Sequence, residues 1–292
     1  PPPPPPPPPP TPPPPPAMTT RFAPSPTGLL HLGHAYAAIV AHKLAHEANG
    51  TFLLRFEDID HSRVREEFYA AIESDLRWLG LDWTGSPLRQ TDRLPAYAAA
   101  IEQLKAAQVL YPCFCTRRVI AEESARITKA PHGPEGPLYP GTCRQLSATQ
   151  RSDLLAIDTA HCWRLHATAA SQLTGPLSFS DQLHGTAPVD PSLLGDVILA
   201  RKDIATSYHL AVVVDDAFQQ ISLVTRGEDL LPSTHVHRLL QSLLHLPEPS
   251  YHHHPLITDA QGQRLAKRDE SKTLQSLRAS GQTPKNILQT VA

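Results

Sequence analysis

The spacing of apolar positions along this chain switches repeatedly between the period of a strand and that of a helix. Thr20 to Ala23 reads as a short strand, after which Leu32, Tyr36, Ile39, Val40 and Leu44 recur at helical spacing until Asn49-Gly50 stops them. Thr51 to Phe56 reads as a second strand. Phe68, Ile72, Leu76 and Leu79 mark the next helix, and Tyr97, Ile101 and Leu104 mark a third that starts near Pro95, a residue favoured in a first helical turn. Strand and helix in alternation predict a parallel, doubly wound α/β sheet. From about Tyr111 to Asp190 the alternation breaks into short apolar runs around Cys113, Cys115 and a stretch rich in Gly and Pro, which predicts an inserted subdomain. Sheet character then resumes. Val197 to Ala200, Leu210 to Val214 and Gln220 to Val224 are short apolar or β-branched runs, the last two resembling buried strands, and Leu239 to Leu246 closes a helix before Pro247.

Residues 1–16 are fifteen prolines and one Thr, a composition that forms extended polyproline II or stays disordered and cannot join a core. Met18 is the chain's single methionine and stands just before the first foldable segment, where a start is expected. With 292 residues and 40% apolar content the rest is long enough for a large buried core. Lys and Arg total 26 against 28 Asp and Glu, so any basic surface must be local. No run approaches the roughly 20 apolar residues of a membrane helix, and a cytoplasmic, monomeric protein without a membrane partner is expected. The four cysteines are too few for a disulfide framework. Cys113 and Cys115 are separated by one residue, which suits metal ligation better than bridging.

Where the first strand hands over to the first helix the chain reads Arg21-Phe-Ala-Pro-Ser-Pro-Thr-Gly28, then Leu29-Leu-His-Leu-Gly-His34. An α/β nucleotide-binding sheet places phosphates at this position, because free N–H groups and the positive end of the helix dipole attract anions there. Gly28 and Gly33 leave room for a close approach, and His31 and His34 fall on one helix face, able to donate to phosphate oxygens. Two histidines among 16 carry little weight alone. They gain it from Gln263-Arg-Leu-Ala-Lys-Arg268, a basic loop whose Lys267 is a suitable point charge for a triphosphate.

These two segments resemble the signatures of the class I aminoacyl-tRNA synthetases: His31-Leu-Gly-His34 is similar to their HIGH motif, and Arg264-Leu-Ala-Lys-Arg268 to a degenerate KMSKS loop in which Lys267 matches the second lysine. The opening Arg-Phe-Ala-Pro-Ser-Pro-Thr-Gly and Leu54-Arg-Phe-Glu-Asp-Ile-Asp60 place the resemblance in the glutamyl and glutaminyl branch. It implies a Rossmann-like catalytic sheet split into 18–110 and 191–292, a zinc-binding insertion at 111–190, a disordered proline-rich tail at 1–17, and no anticodon-binding domain. Glutamate contacts implied are Arg21, Phe22, Ala23, Pro24, Ser25, Glu57, Tyr208 in Ser207-Tyr-His-Leu-Ala, and Arg226 in Thr225-Arg-Gly-Glu-Asp-Leu. ATP, with Mg²⁺, is implied at His31, Gly33, His34 and Lys267, of which His31, His34 and Lys267 carry the catalysis. Asp58 and Asp60 are expected to be structural. Tyr208 also reads as a half-buried sheet residue, and Arg226 as an ion-pair partner of Glu228 or Asp229.

In the insertion, Cys113-Phe-Cys115 and Tyr139-Pro-Gly-Thr-Cys143 offer three thiolates and a phenolate for one structural Zn²⁺. The resemblance favours Tyr139 as fourth ligand, while Cys162 and His132 are chemically more ordinary. This pattern, with only 25 residues after Lys267, resembles the short glutamyl-Q members of the branch, which implies activation of L-glutamate without tRNA and its transfer to queuosine in the anticodon of tRNA(Asp). The alternatives are a truncated glutamyl-tRNA synthetase acting on the 3′ end of tRNA(Glu), a non-catalytic paralogue serving as a binding module, and, as an outsider, a small-molecule nucleotidylyltransferase.

Overall fold

A computed structural model describes residues 17–116, 118–120, 132–133, 136–257 and 272–291. The first part of the chain follows the expected alternation: β1 (Thr19–Phe22), α1 (Leu32–Glu47), β2 (Thr51–Phe56), α2 (Glu66–Trp78), β3 (Leu88–Arg89) and α3 (Leu94–Ala106). β1, β2 and β3 lie side by side in parallel, with Arg21 opposite Leu53. The middle part contributes β4 (Leu110–Cys113), β5 (His132–Gly133), β6 (Gly136–Pro137), α4 (Ala148–Ala156), β7 (Cys162–Leu165), α5 (Ala167–Thr174), β8 (Ser178–Asp181) and β9 (Gly185–Pro188). After it come β10 (Ile198–Ala200), α6 (Tyr208–Phe218), β11 (Leu223–Gly227), α7 (Leu231–Leu243), β12 (Ser250–His254), α8 (Leu274–Ala279) and α9 (Pro284–Val291).

A second sheet has the antiparallel order β10-β7-β4, and a third the order β11-β12-β8-β9, in which only the β8–β9 hairpin is antiparallel. Thr19 ties β1 to the approach of β11, accepting from the Ser222 N–H at 3.1 Å and donating its own N–H to Ser222 Oγ at 2.9 Å. The carboxyl ends of β1, β2 and β11 thereby open toward one side. The β8–β9 hairpin belongs by sequence to the expected insertion, yet it extends the sheet of β11 and β12.

Two details differ from the pattern of apolar positions. In α1 the buried stripe is Ala35, Ala38, Ala41 and Ala45, and the larger Tyr36, Ile39, Val40 and Leu44 are only half-buried. Small residues let the helix sit close to the sheet, near enough for Thr20 Oγ1 to donate to the Ala41 carbonyl at 2.8 Å. Leu210 to Val214 form part of α6 and not a strand. Leu210, Ala211, Val212 and Val213 are all buried, in a core shared with α3, α7 and β10, and a helix without a polar face shows no helical period.

Seven of the described helices close in the same way, α2 and α8 through Gly80 and Gly281 and five others through a residue other than glycine. Asn49, Gln108, Asp158, Gln220 and His245 take left-handed backbone angles two residues past the ends of α1, α3, α4, α6 and α7. The next residue's N–H then returns to a carbonyl five positions earlier, as from Gly50 to Ala45 and from Ile221 to Asp216. Among the described residues no helix is long and apolar enough to cross a membrane.

One buried acid opposes this packing. Asp75 in α2 is 1% exposed, its Oδ2 has no hydrogen-bond partner, and burial pushes its pKa up to about 6 against the pull of Arg278. An acid whose pKa is raised by folding weakens the fold once the pH passes the unfolded value near 4, and most above the folded value. Asp75→Asn should therefore raise unfolding stability by about 2 kcal/mol at neutral pH, with the gain vanishing below about pH 4. Urea titrations of both proteins across that range check it; a variant less stable at neutral pH contradicts it.

Candidate active site

A cavity of about 470 Å³ opens where β1 hands over to α1, at the carboxyl ends of β1, β2 and β11. Arg21, Phe22, Ala23, Pro24, Ser25, His31, His34, Glu57, Tyr208 and Arg226, spread over some 200 positions of sequence, all line it. Arg21 lies on β1, Glu57 directly follows β2, Tyr208 is the first residue of α6, and Arg226 lies on β11. The Glu57 N–H donates to the Pro24 carbonyl at 3.0 Å, which joins the loop after β2 to the loop after β1. His31 caps α1, and its N–H donates to His34 Nδ1 at 3.4 Å; the two rings lie 3.9 Å apart. Neutral His34 therefore carries its proton on Nε2. Gly33 sits between them without lining the cavity, and a Cβ there would come no nearer than 3.9 Å to His31. Lys267 and the basic loop lie outside the described residues.

Arg21 is 4% exposed and already bonded. Its Nε and Nη2 clasp Asp216 at 2.8 and 3.2 Å, and its Nη1 donates to the Thr225 carbonyl at 3.1 Å. Of the five N–H groups of a guanidinium these use three, which leaves two for a ligand. Arg55, fully buried, donates from Nη1 to the same Asp216 carboxylate at 2.8 Å, and its Nη2 stands 3.7 Å from Glu57. Burial works against the charge of Asp216, but Arg21 and Arg55 outweigh it and hold the carboxyl below the usual range. Glu57 is pushed the other way, by burial first, with Arg55 and Arg21 restraining the rise. Asp58 is fixed by Tyr69 at 2.7 Å and by Thr91 at 2.9 Å, and Asp60 pairs with Arg63 at 2.9 Å, so neither is presented to the cavity.

Arg226 is held differently. Its Nε donates to His253 Nε2 at 3.0 Å, its Nη1 to Tyr208 Oη at 3.2 Å and to His237 Nδ1 at 3.1 Å, and its Nη2 to Thr234 Oγ1 at 2.7 Å. All four partners are uncharged, and neither Glu228 nor Asp229 is among them. The acceptor state of His253 is set from behind, because its Nδ1 donates to Asp181 Oδ2 at 2.6 Å. His237 passes its other ring N–H to His209 Nδ1 at 3.2 Å. Burial, then the charge of Arg226, holds His253 and His209 down to about 4 and His237 well below its ordinary value, so these rings stay neutral.

Away from the cavity, Cys113, Cys115 and Cys143 bring their sulfurs within 4.8 Å of one another. Tyr139 Oη stands 3.4 Å from Cys113 Sγ and 3.6 Å from Cys115 Sγ, and it accepts the Cys143 N–H at 2.9 Å. The group is compatible with a metal site. Cys162 faces the Cys113 carbonyl at 3.6 Å and is outside the cluster, and the side chain of His132 lies outside the described residues.

Sequence inspection missed Asp216, Arg55, Asp181, His237 and His253. In the sequence Asp216 simply follows the apolar run Leu210 to Val214, and nothing there ties it to Arg21 or Arg55. A signal for His253 existed in Tyr251-His-His-His254, where alternate residues of a strand share a face, but nothing in the sequence links it to Asp181.

Comparison with known proteins agrees with this arrangement. Residues 17–292 match the family model of class I tRNA synthetases (E and Q), catalytic domain. The chain is 49% identical over 275 residues to a glutamyl-Q tRNA(Asp) synthetase of Rhodobacter capsulatus, across 92% of this chain and 98% of that one. It is 44% identical over 270 residues to the protein of that name from Nocardia farcinica, across 92% and 81%. In fold it is similar to the glutamate-tRNA synthetase of Elizabethkingia anophelis, with a TM-score of 0.75 and 28% identity over 86% of this chain; it spans about half of that protein, 52%.

The paired arginines make a stability test. Asp216→Asn strands two buried guanidiniums, so it should lower unfolding stability by about 3–5 kcal/mol at neutral pH. An acid with a depressed folded pKa contributes stability above its unfolded value and loses it as the pH falls through the folded one. The gap between the proteins should therefore close in urea titrations well below pH 4, and equal midpoints at neutral pH would contradict it.

Proposed function

The chain belongs to the class I tRNA synthetases for E and Q, and from that premise we propose that it activates L-glutamate with ATP, without tRNA, and transfers the glutamyl group to queuosine in tRNA(Asp). One observation carries this reading: two guanidiniums and a carboxylate face one cavity at the head of the helix that bears His31 and His34. The names of the Rhodobacter and Nocardia relatives support the acceptor.

In this reading Arg21, through its two remaining N–H groups, and Arg226 hold the carboxylates of glutamate, with Tyr208 beside them. Glu57 holds the ammonium group, and Phe22 to Ser25 form the wall. The triphosphate of ATP, accompanied by Mg²⁺, lies against the start of α1, where His31 and His34 face its phosphates and Gly33, between them, adds no side chain. An oxygen of the glutamate α-carboxylate bonds to the α-phosphorus, the bond to the pyrophosphate oxygen breaks, and glutamyl-adenylate and pyrophosphate result. Charge neutralisation and positioning are the catalysis. Lys267 supplies charge as pyrophosphate leaves. Its neighbourhood supports this, since Leu256 packs on Gly227 and Thr273 bridges to His31, so the residues flanking 258–271 both return to the cavity. A queuosine hydroxyl then attacks the activated carbonyl, losing its proton as AMP departs.

The thiol cluster we assign to one structural zinc held by Cys113, Cys115, Cys143 and Tyr139. Tetrahedral bonds of about 2.3 Å to sulfur and 2.0 Å to oxygen separate sulfurs by about 3.8 Å and sulfur from oxygen by about 3.5 Å. The distances of 3.4 Å between Cys115 and Cys143 and of 3.4 and 3.6 Å to Tyr139 fit that frame. Bound zinc would hold together a part of the chain with a small core of its own.

Glutamate-dependent exchange of pyrophosphate into ATP should proceed with no tRNA present. Arg226→Ala and Glu57→Ala should raise the KM for glutamate about 10- to 100-fold, while Lys267→Ala should mainly lower kcat. His253→Leu, which removes the acceptor that aims Arg226, should raise KM with kcat kept. Exchange that requires tRNA contradicts the reading. For the acceptor, a queuosine-bearing anticodon stem-loop should be glutamylated and unmodified tRNA(Asp) should not; the opposite result points to the 3′-terminal ribose.

A further inference from the structure

We propose that Arg164 is the built-in counter-cation of the metal site, a positioning residue that makes a cluster of four anionic ligands tenable inside the protein. This rests on the zinc reading above. Three thiolates and a phenolate around a divalent ion leave two negative charges in excess, and a buried excess of charge is expensive unless an opposite charge lies beside it.

The sheet puts Arg164 where that charge is needed. β4 and β7 pair antiparallel with Cys113 opposite Cys162 and Tyr111 opposite Arg164, so these four side chains emerge on one face. The guanidinium sits over the ring of Tyr139, with its carbon 3.9 Å from the ring centre. Tyr139 is the residue whose oxygen approaches Cys113 and Cys115.

Among the described residues Arg164 has no carboxylate for a partner. The residue is 7% exposed. Its Nη1 donates to a neutral group, the Asp196 carbonyl, at 2.7 Å, and its Nε is buried without a hydrogen-bond partner. The Asp196 carboxylate is taken up elsewhere, by Arg144 at 2.9 Å, Tyr111 at 2.6 Å and the Ala167 N–H at 3.0 Å. Among the described residues no carboxylate forms an ion pair with Arg164. A guanidinium this buried, with an orphaned N–H and no acidic partner, is satisfied by the anionic cluster under the ring it covers.

The test uses the full chain, loaded with zinc and stripped of it, and reads zinc affinity by competition with a chromophoric chelator. Arg164→Gln should weaken zinc binding about 10- to 100-fold, the range for groups that support metal ligands from outside. Arg164→Lys, which keeps the charge, should recover most of it. The unfolding midpoint of the stripped protein should move far less than that of the loaded one. Replacing one anionic ligand by a neutral one reduces the excess charge, so in a Cys115→His background the effect of Arg164→Gln should shrink. If Arg164→Gln does not fold, the Lys variant decides by itself: affinity near wild type supports the proposal, and a loss of tenfold or more overturns it. Equal zinc affinity for wild type and Arg164→Gln, or equal destabilisation of loaded and stripped protein, also overturns it. A wild-type chain that takes up no zinc sinks the zinc assignment itself, a result distinct from a wild type that binds zinc while Arg164→Gln binds it equally well.

Discussion

The buried carboxylate of Asp216 holds the cavity together. It accepts from Arg21 on β1, 195 residues earlier, and from Arg55 on β2, 161 residues earlier, and so fixes α6 across the two strands that carry the first half of the site. Neither guanidinium has enough exposure to be solvated by water, so the three groups are stable only as a set. Its neighbour Asp215 fastens the other side of the helix, accepting from Tyr97 at 2.6 Å, Gln90 at 3.0 Å and Arg93 at 3.2 Å. Two successive acids on a helix without a polar face thus join it to a strand pair on one side and to α3 on the other.

The two arginines facing the cavity illustrate two ways to bury a positive charge. Arg21 is neutralised by Asp216 and keeps its geometry through a bidentate clasp. Arg226 is held by three neutral acceptor side chains and the Tyr208 hydroxyl, which fix its direction without cancelling its charge. A charge aimed but not compensated keeps its pull on an incoming anion, and that state is maintained only while His253 and His237 remain neutral acceptors. Burial beside a guanidinium secures that condition without further machinery.

Where the sequence was informative, the information was local. Thr51 to Phe56 could be read as a strand residue by residue because β2 is short, apolar and bounded by Gly50 on one side. Arg21, Glu57, Tyr208 and Arg226 could be picked out because each stands in a short motif at a strand or helix end, and the structure gathers all four around one cavity. The Cys-x-Cys and Tyr-x-x-x-Cys spacings likewise located the thiol cluster. What could not be read depends on contacts between distant segments. The alanine stripe of α1 is buried because the helix approaches the sheet closely, and α6 hid its period because Leu210, Ala211, Val212 and Val213 are buried in succession. Asp181 and His253 lie 72 positions apart, and their pairing exists only through the register of β8 on β12.

Asp181 also has a mechanical consequence. It is carried by the β8–β9 hairpin, which meets β12 with Asp181 opposite Tyr251, and both its oxygens are spent at that corner, on the Leu183 and His184 N–H groups and on His253. The hairpin and the guanidinium of Arg226 are therefore two ends of one linked equilibrium. Lifting the hairpin releases His253, and a released His253 lets the guanidinium swing. Thermodynamic reciprocity sets the converse: a carboxylate that bound Arg226 better with His253 in place would hold the hairpin on the sheet by the same free energy. Were the pocket so occupied, the coupling would run to the β8–β9 hairpin through the single imidazole ring that joins Asp181 to Arg226.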